Sequence, residues 1–208
     1  MNVLRQVVIA AVLVMGTSLS TMASAQTIVD EWASVKTPPA PELKPVTVDP
    51  KTTALLMLDF MSQNCGRRPR CLASIPAVKN FLAEARAKGM MVVYSTFAGV
   101  KVADILQDVA PTGNEPIVSS APDKFLNTDL DKILKDKGIQ TVITIGTAAH
   151  GAVFYTASGA GFRGMKVIVP VDGMSSDPYT EQYTAWHLAN GLAFSRNVTL
   201  TKFDMVKF

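Results

Sequence analysis

The sequence predicts a doubly wound, three-layer α/β/α fold around a mostly parallel sheet. Three observations carry this. Short apolar runs of strand length alternate with stretches of helical spacing along the chain. The strand runs are continuously apolar rather than alternating, as expected for strands covered on both faces. Neither an internal repeat nor a domain boundary interrupts the pattern. With 208 residues, 48% hydrophobic and 18% charged, the chain has material for one sizeable core and is too apolar to be disordered.

The elements follow in order. Thr27–Pro50 contains five prolines (Pro38, Pro39, Pro41, Pro45, Pro50) and little apolar periodicity, so residues 26–50 read as an extended arm leading into a domain at 51–208. Ala54-Leu55-Leu56-Met57-Leu58, ended by Asp59, reads as the first strand. Residues 73–88 have helical spacing and stop at Gly89. Residues 90–94 form a second buried strand, and Ile117-Val118 a short third. Residues 128–137 make a helix with Thr128 as N-cap and Gly138 as its stop. A strand at 141–145, a small-residue helix at 152–162, a strand at 166–169, a helix at 178–190 and a last strand at 197–200 complete the alternation.

The first 25 residues read as an address rather than as part of the fold. One early charge (Arg5) precedes an apolar run from Val7 to Met15, then small residues ending Ala23-Ser24-Ala25. That is the order of a secretory signal cleaved after Ala25, with an uncleaved membrane anchor as the competing reading. Cleavage removes Arg5 and takes the formal charge from +3 to +2. No other segment is apolar enough to insert stably in a membrane. An exported, periplasmic or secreted protein is expected. Cys65 and Cys71 are the only cysteines, and after export such a pair reads most simply as a disulfide, worth roughly 2 kcal/mol for so short a loop; a thiol nucleophile is the alternative. The small net charge and the lack of a Lys/Arg-rich run argue against nucleic acid as a partner, and two His with two Cys argue against a multi-site zinc protein.

Ligands of such sheets bind outside the carboxyl ends of the strands. Here those ends carry Asp59, Ser95-Thr96, Ser119-Ser120 and Gly146-Thr147-Ala148-Ala149-His150. Neither G-x-G-x-x-G nor G-x-x-x-x-G-K-[ST] follows the first strand, which removes the usual phosphate loops. No G-x-S-x-G elbow presents Ser119, Ser120, Ser175 or Ser176 for a Ser/His/Asp triad.

Four segments, in this order and spacing, resemble the isochorismatase-like (cysteine hydrolase) superfamily over roughly residues 54–200. They are Ala54–Asp59; Asp123-Lys124-Phe125-Leu126-Asn127-Thr128-Asp129-Leu130; Gly138-Ile139 through Ile145-Gly146; and Gly151-Ala152-Val153-Phe154-Tyr155-Thr156-Ala157 with Arg163-Gly164-Met165-Lys166-Val167 and Val171-Asp172-Gly173. The resemblance implies a Rossmann-like layered fold and a site of Asp, Lys and Cys, in which Cys attacks an amide carbonyl. Asp59 matches the Asp. The Cys position falls on Ala152, so thiol-based amide hydrolysis cannot run here. The Lys has two candidate placements: strict spacing back from Phe125 gives Ser119, whereas Lys124 stands beside Phe125.

Isochorismatases proper resemble this pattern in lacking the Cys, and cleave a vinyl ether with the Asp as general acid. That chemistry asks for a carboxyl group able to hold a proton near neutral pH, as an apolar setting promotes. The Gly151–Ala152 amides, at a helix N-terminus, would favour an anionic substrate. His150, at the same helix start, either orients substrate or water or merely caps the helix; His187 reads as packing. Asp59 has its own bland reading, a carboxylate capping a loop. The region after the second strand, Phe97–Asp104, carries no His, so no metal is expected where nicotinamidase-like relatives hold one, and no other cofactor. Two functions stay open: an exported hydrolase acting through Asp59 on a small anionic or vinyl-ether substrate, and a non-catalytic relative that binds a small molecule or a protein. The resemblance also implies a homo-oligomer.

Overall fold

A computed structural model describes residues 26–208; the proposed signal segment, residues 1–25, lies outside them. The chain divides into two compact units, Met1–Thr37 and Pro38–Phe208. In the first, the described part holds a short α-helix, α1 (Ile28–Glu31), whose start is boxed by Thr27 and Asp30, followed by a 3-10 turn at Trp32–Ser34.

The second unit is built on a parallel sheet with spatial order β4-β3-β2-β5-β6-β8, and β7 pairing with the end of β5. Its strands are β2 (Thr53–Leu58), β3 (Met91–Thr96), β4 (Ile117–Ser119), β5 (Thr141–Thr147), β6 (Lys166–Pro170), β7 (Met174–Ser175) and β8 (Val198–Thr201). All six residues of β2 are buried, which accounts for its unbroken apolar run. Two hydrophobic clusters lie on opposite sides of the sheet. Leu55, Met57, Ile143 and Ile145 pack with helix α2 (Pro69–Ala87). Leu56, Leu58 and Val142 pack with α3 (Leu130–Asp136), α4 (Phe154–Phe162) and α5 (Pro178–Asn190). The three layers are those the sequence predicts.

Three details differ from expectation. The helix expected at 73–88 starts four residues earlier, at Pro69, because proline at the first helical position loses no hydrogen bond there. The helix expected at 152 begins regularly only at Phe154; Ala149–Val153 form a wider turn, with Gly151 at φ −112° and ψ −109° outside helical geometry. The arm is built in over its second half: β1 (Val46–Thr47) pairs in parallel with β9 (Val206–Lys207) near the chain end. Among the described residues, no helix is long and apolar enough to cross a membrane.

Candidate active site

The site forms where β2, β3 and β5 end side by side. The parallel register sets Leu58 opposite Ser95 on one side and Gly146 on the other. Asp59, the next residue, leaves the strand with φ +57°, a left-handed conformation that Asp tolerates better than most side chains. The closeness of β5 at this level depends on Gly146: a Cβ there would stand 2.0 Å from the Leu58 carbonyl oxygen. Any other residue would push β5 away from the base of Asp59.

Asp59 is buried, and its carboxylate is partnered on both oxygens. Ser95 Oγ donates to Oδ1 at 2.6 Å and accepts the Asp59 backbone N–H at 3.2 Å. Lys124 Nζ lies 2.9 Å from Oδ2. The lysine is 1% exposed, so its charge is balanced by this carboxylate rather than by water. Its other two donors reach the carbonyl oxygens of Thr96 and Ser120, each at 3.2 Å. All three ammonium hydrogens therefore have acceptors. A buried, fully matched ion pair of this kind holds one geometry, because any departure strands a charge in a medium of low dielectric.

The loop that delivers Lys124 is folded by its own hydrogen bonds. Ser120 Oγ donates to the Asp123 and Leu126 carbonyls, and Thr128 Oγ1 to that of Lys124. The Lys124 N–H in turn donates to Thr156 Oγ1 on α4 at 3.2 Å. The loop lies close on α4 because Gly159 leaves room; a Cβ there would meet the Asp123 carboxylate at 2.9 Å. Between the two placements for the lysine position, the geometry brings Lys124 to Asp59. Ser119 is exposed at the end of β4, and its neighbour Ser120 supplies the carbonyl.

On the other side stands the turn from β5 into α4. The Thr147–Ala148 peptide is cis, and Ala152 is buried at the foot of α4. The expected anion-binding pair of amides is only partly available: the Gly151 N–H donates to the Ala148 carbonyl at 2.9 Å, a bond that closes the wide turn. His150 is exposed, with Nδ1 3.2 Å from Ser176 Oγ. Ser176 N–H donates to Glu181 Oε1 at 2.8 Å, and Glu181 is gripped by Arg70 through two nitrogens. That contact with Glu181 raises the Arg70 guanidinium further above its ordinary value.

Cys65 and Cys71 form a disulfide, with Cα atoms 5.3 Å apart, which settles the thiol alternative. The bridge closes the loop just after Asn64. Asn64 Nδ2 donates to the Thr147 carbonyl at 2.9 Å and makes a longer contact, 3.4 Å, with that of Asp59. Arg68 donates to the Asn64 carbonyl at 2.9 Å and also meets its side-chain oxygen. Sequence reasoning missed Asn64 as a tie between the first strand end and the β5 turn, and noted Ser95 only as a strand-end residue. The register opposite Leu58 is the signal that could have found Ser95; Asn64 had none. Among the described residues, no group of three or more His, Cys, Asp or Glu is arranged to hold a metal ion.

Comparison with known proteins places this geometry in a family. A family model described as the isochorismatase domain matches residues 53–201. The secreted isochorismatase effector Isc1 of Verticillium dahliae is 28% identical over 144 residues, which are 62% of this chain and 76% of that protein. An isochorismatase family protein from Desulfovibrio vulgaris superposes with a TM-score of 0.67 at 19% identity, over 74% of this chain and 95% of its own. The N-carbamoylsarcosine amidase of Thermoplasma acidophilum gives a TM-score of 0.64 at 22% identity, over 74% and 97%. At such identities the two structures speak for the shared fold alone.

Proposed function

This chain belongs to the isochorismatase domain family, and from that premise we propose that it is an exported hydrolase that cleaves a small, carboxylate-bearing vinyl ether with Asp59 as the proton carrier and no cysteine nucleophile. The observation that carries this reading is the buried Asp59–Lys124 pair, with Ser95 on the second carboxylate oxygen, beside a helix start whose nucleophile position is Ala152. A strong nucleophile is missing, while a positioned proton donor and acceptor is present. Vinyl ether hydrolysis is the reaction that needs the second and not the first. In the reacting form Asp59 carries the proton, which passes to the terminal vinyl carbon. Water adds to the oxocarbenium carbon so formed and gives a proton back to the Asp59 carboxylate, and the hemiketal collapses to a ketone and an alcohol. As the proton leaves, charge grows on Asp59 Oδ1 and Oδ2, where the Ser95 hydroxyl and Lys124 ammonium already point. Donors preset for a charge that develops in the transition state lower its energy without reorganisation.

Export is supported by three things: the leader-like order of residues 1–25, the disulfide, and a relative described as secreted. A second reading, a non-catalytic binding protein, is favoured by one observation, the buried methyl of Ala152 at the nucleophile position. The test separates them. The purified protein and its Asp59→Asn variant are assayed against isochorismate and a panel of vinyl ethers, esters and amides. Turnover of a vinyl ether that falls by about 10²–10⁴ in the variant is expected. Equal turnover in both removes Asp59 from the reaction, and turnover in neither, with both folded, supports the binding protein.

A further inference from the structure

A cleft of about 560 Å³, within the range of small-ligand clefts, opens at the opposite end of the sheet from Asp59, where the strands begin. One wall is the start of the main sheet. The other is residues 46–49, whose first half is the β1 strand paired with β9. Thr53, Thr141 and Lys166 stand in one row along the first wall. The parallel register sets Thr53 beside Thr141 and Thr141 beside Lys166, and register partners point to the same face. With strands about 4.8 Å apart, that row spans about 10 Å. Arg196 lines the same cleft from the 3-10 turn before β8 (Ser195–Asn197), which the pairing of Val167 with Val198 places next to the start of β6. Along β2, the five steps from Thr53 to Leu58 put the cleft about 16 Å from the base of Asp59.

The fold itself makes no use of the two positive charges in this cleft. Among the described residues, neither Lys166 nor Arg196 lies within ion-pair distance of a carboxylate. Neither sits in the last turn of a helix, where a cation would offset the dipole, since α4 ends at Phe162 and α5 at Asn190. Two unpaired cations at a cleft with low-dielectric walls focus an attractive field on an entering anion. The rest of the lining narrows which anion fits. Thr47, Thr141 and Thr199 bring hydroxyls, and Gln140 and Asn197 bring amides; all of these can both donate and accept. An apolar ligand would leave them without partners. Asp49, on the wall facing the row, gives one carboxylate oxygen to the Lys51 N–H at 2.9 Å and keeps the other. That second oxygen repels a bare anion but accepts from hydroxyls carried beside an anionic group.

We propose that this cleft binds a small polyhydroxylated anion, a sugar acid or a sugar phosphate, with its anionic group at Lys166 and Arg196 and its hydroxyls on Thr141, Asn197 and Asp49. The row of about 10 Å is a span that a six-carbon sugar ring and its acidic substituent bridge with hydrogen bonds at both ends. This site is separate from the reaction assigned to Asp59, so its test needs no turnover. Titration calorimetry of the purified protein with glucuronate, glucose 6-phosphate, glucose and inorganic phosphate provides that test. Saturable binding of at least one of the two sugar acids is expected, and the tighter of them tells a carboxylate site from a phosphate site. Glucose, without the charge, and inorganic phosphate, without the hydroxyls, should each bind at least about tenfold more weakly. Lys166→Ala and Arg196→Ala combined, both at exposed positions, should weaken the sugar acid by at least about tenfold. Thr141→Val keeps the β-branched shape and removes only the hydroxyl, and should weaken it by about three- to tenfold. Circular dichroism checks the fold of each variant; should the double variant misfold, Thr141→Val decides. No binding of either sugar acid up to about 10 mM, or binding indifferent to these substitutions, overturns the proposal. So does inorganic phosphate bound as tightly as the sugar acids, which would mark attraction by charge alone.

Discussion

The floor and the rim of the candidate site hold their polar side chains in opposite ways. On the floor, Asp59, Lys124 and Ser95 are buried, and each donor of the lysine has its own acceptor. On the rim, His150, Ser176, Glu181 and Arg70 form a chain with an exposed imidazole at one end and a more than half-exposed guanidinium at the other. Burial makes the first geometry compulsory, since a displaced charge finds no water. Exposure at its two ends, His150 and Arg70, makes the second more adjustable, since water replaces a partner lost there. A site needing a proton at one fixed point, and freedom to admit substrates beside it, is served by that division.

The largest effects should come from splitting the buried pair. Lys124→Met leaves the Asp59 carboxylate without its counter-charge and should cost about 3–5 kcal/mol of stability. Asp59→Asn strands the ammonium in the same way. In the double variant neither charge remains, so much of the loss should return; denaturant unfolding of all four proteins gives the coupling energy. Strictly additive losses would mean that the pair is not held as the geometry has it, and the contrast between floor and rim would collapse.

Next in size is the disulfide. Replacing Cys65 and Cys71 together by Ser should cost about 2 kcal/mol by freeing the short loop in the unfolded chain. It should also loosen Asn64, which ties Thr147 to the first strand end. If the rim is adjustable, thermal unfolding will register the change more strongly than substrate binding does. A reduced form as stable as the oxidised one would contradict this. Ser95→Ala sharpens the comparison from the floor side. It removes one donor to Asp59 and one acceptor of its N–H, and should cost about 1–3 kcal/mol.

The parts legible in the sequence are those fixed by local periodicity. The unbroken run of β2 needs only burial on both faces, and Gly89 and Gly138 end their helices with positive φ, as their positions suggested. Asp59 is singled out as a candidate because it stands at a strand end. Lys124 could not be chosen over Ser119, because the path of residues 119–128 is set by serine and threonine hydroxyls bonding to carbonyls, a pattern with no period to read. The β1–β9 pairing joins Val46 to Val206 and Thr47 to Lys207, a separation that no window of sequence spans. The amide of Gly151 was expected to serve an anion, and only the backbone angles of the wide turn reveal that Ala148 has claimed it.

The smallest effect belongs to the rim, at Asp177, where α5 begins. Its carboxylate accepts the Thr180 N–H at 3.1 Å and the Thr180 hydroxyl at 2.7 Å. These bonds, the hydroxyl's first, hold the carboxyl below its ordinary value. A proton therefore binds the unfolded chain more readily than the folded one. The stability this group contributes is present above the ordinary carboxylate value of about 4 and is lost as pH falls through the depressed folded value. Asp177→Asn keeps an acceptor for Thr180 but cannot titrate, so its stability should lie slightly below the parent's near neutrality and decline less steeply across the acid range, the two converging at low pH. Asp177→Ala should lower stability at neutral pH as well, since the α5 amide loses its cap. Urea unfolding at a series of acid pH values compares the slopes. Parallel slopes in the parent and the Asn variant would show that the exposed bonds to Thr180 do not favour the charged form, and that the rim is looser still than its hydrogen bonds imply.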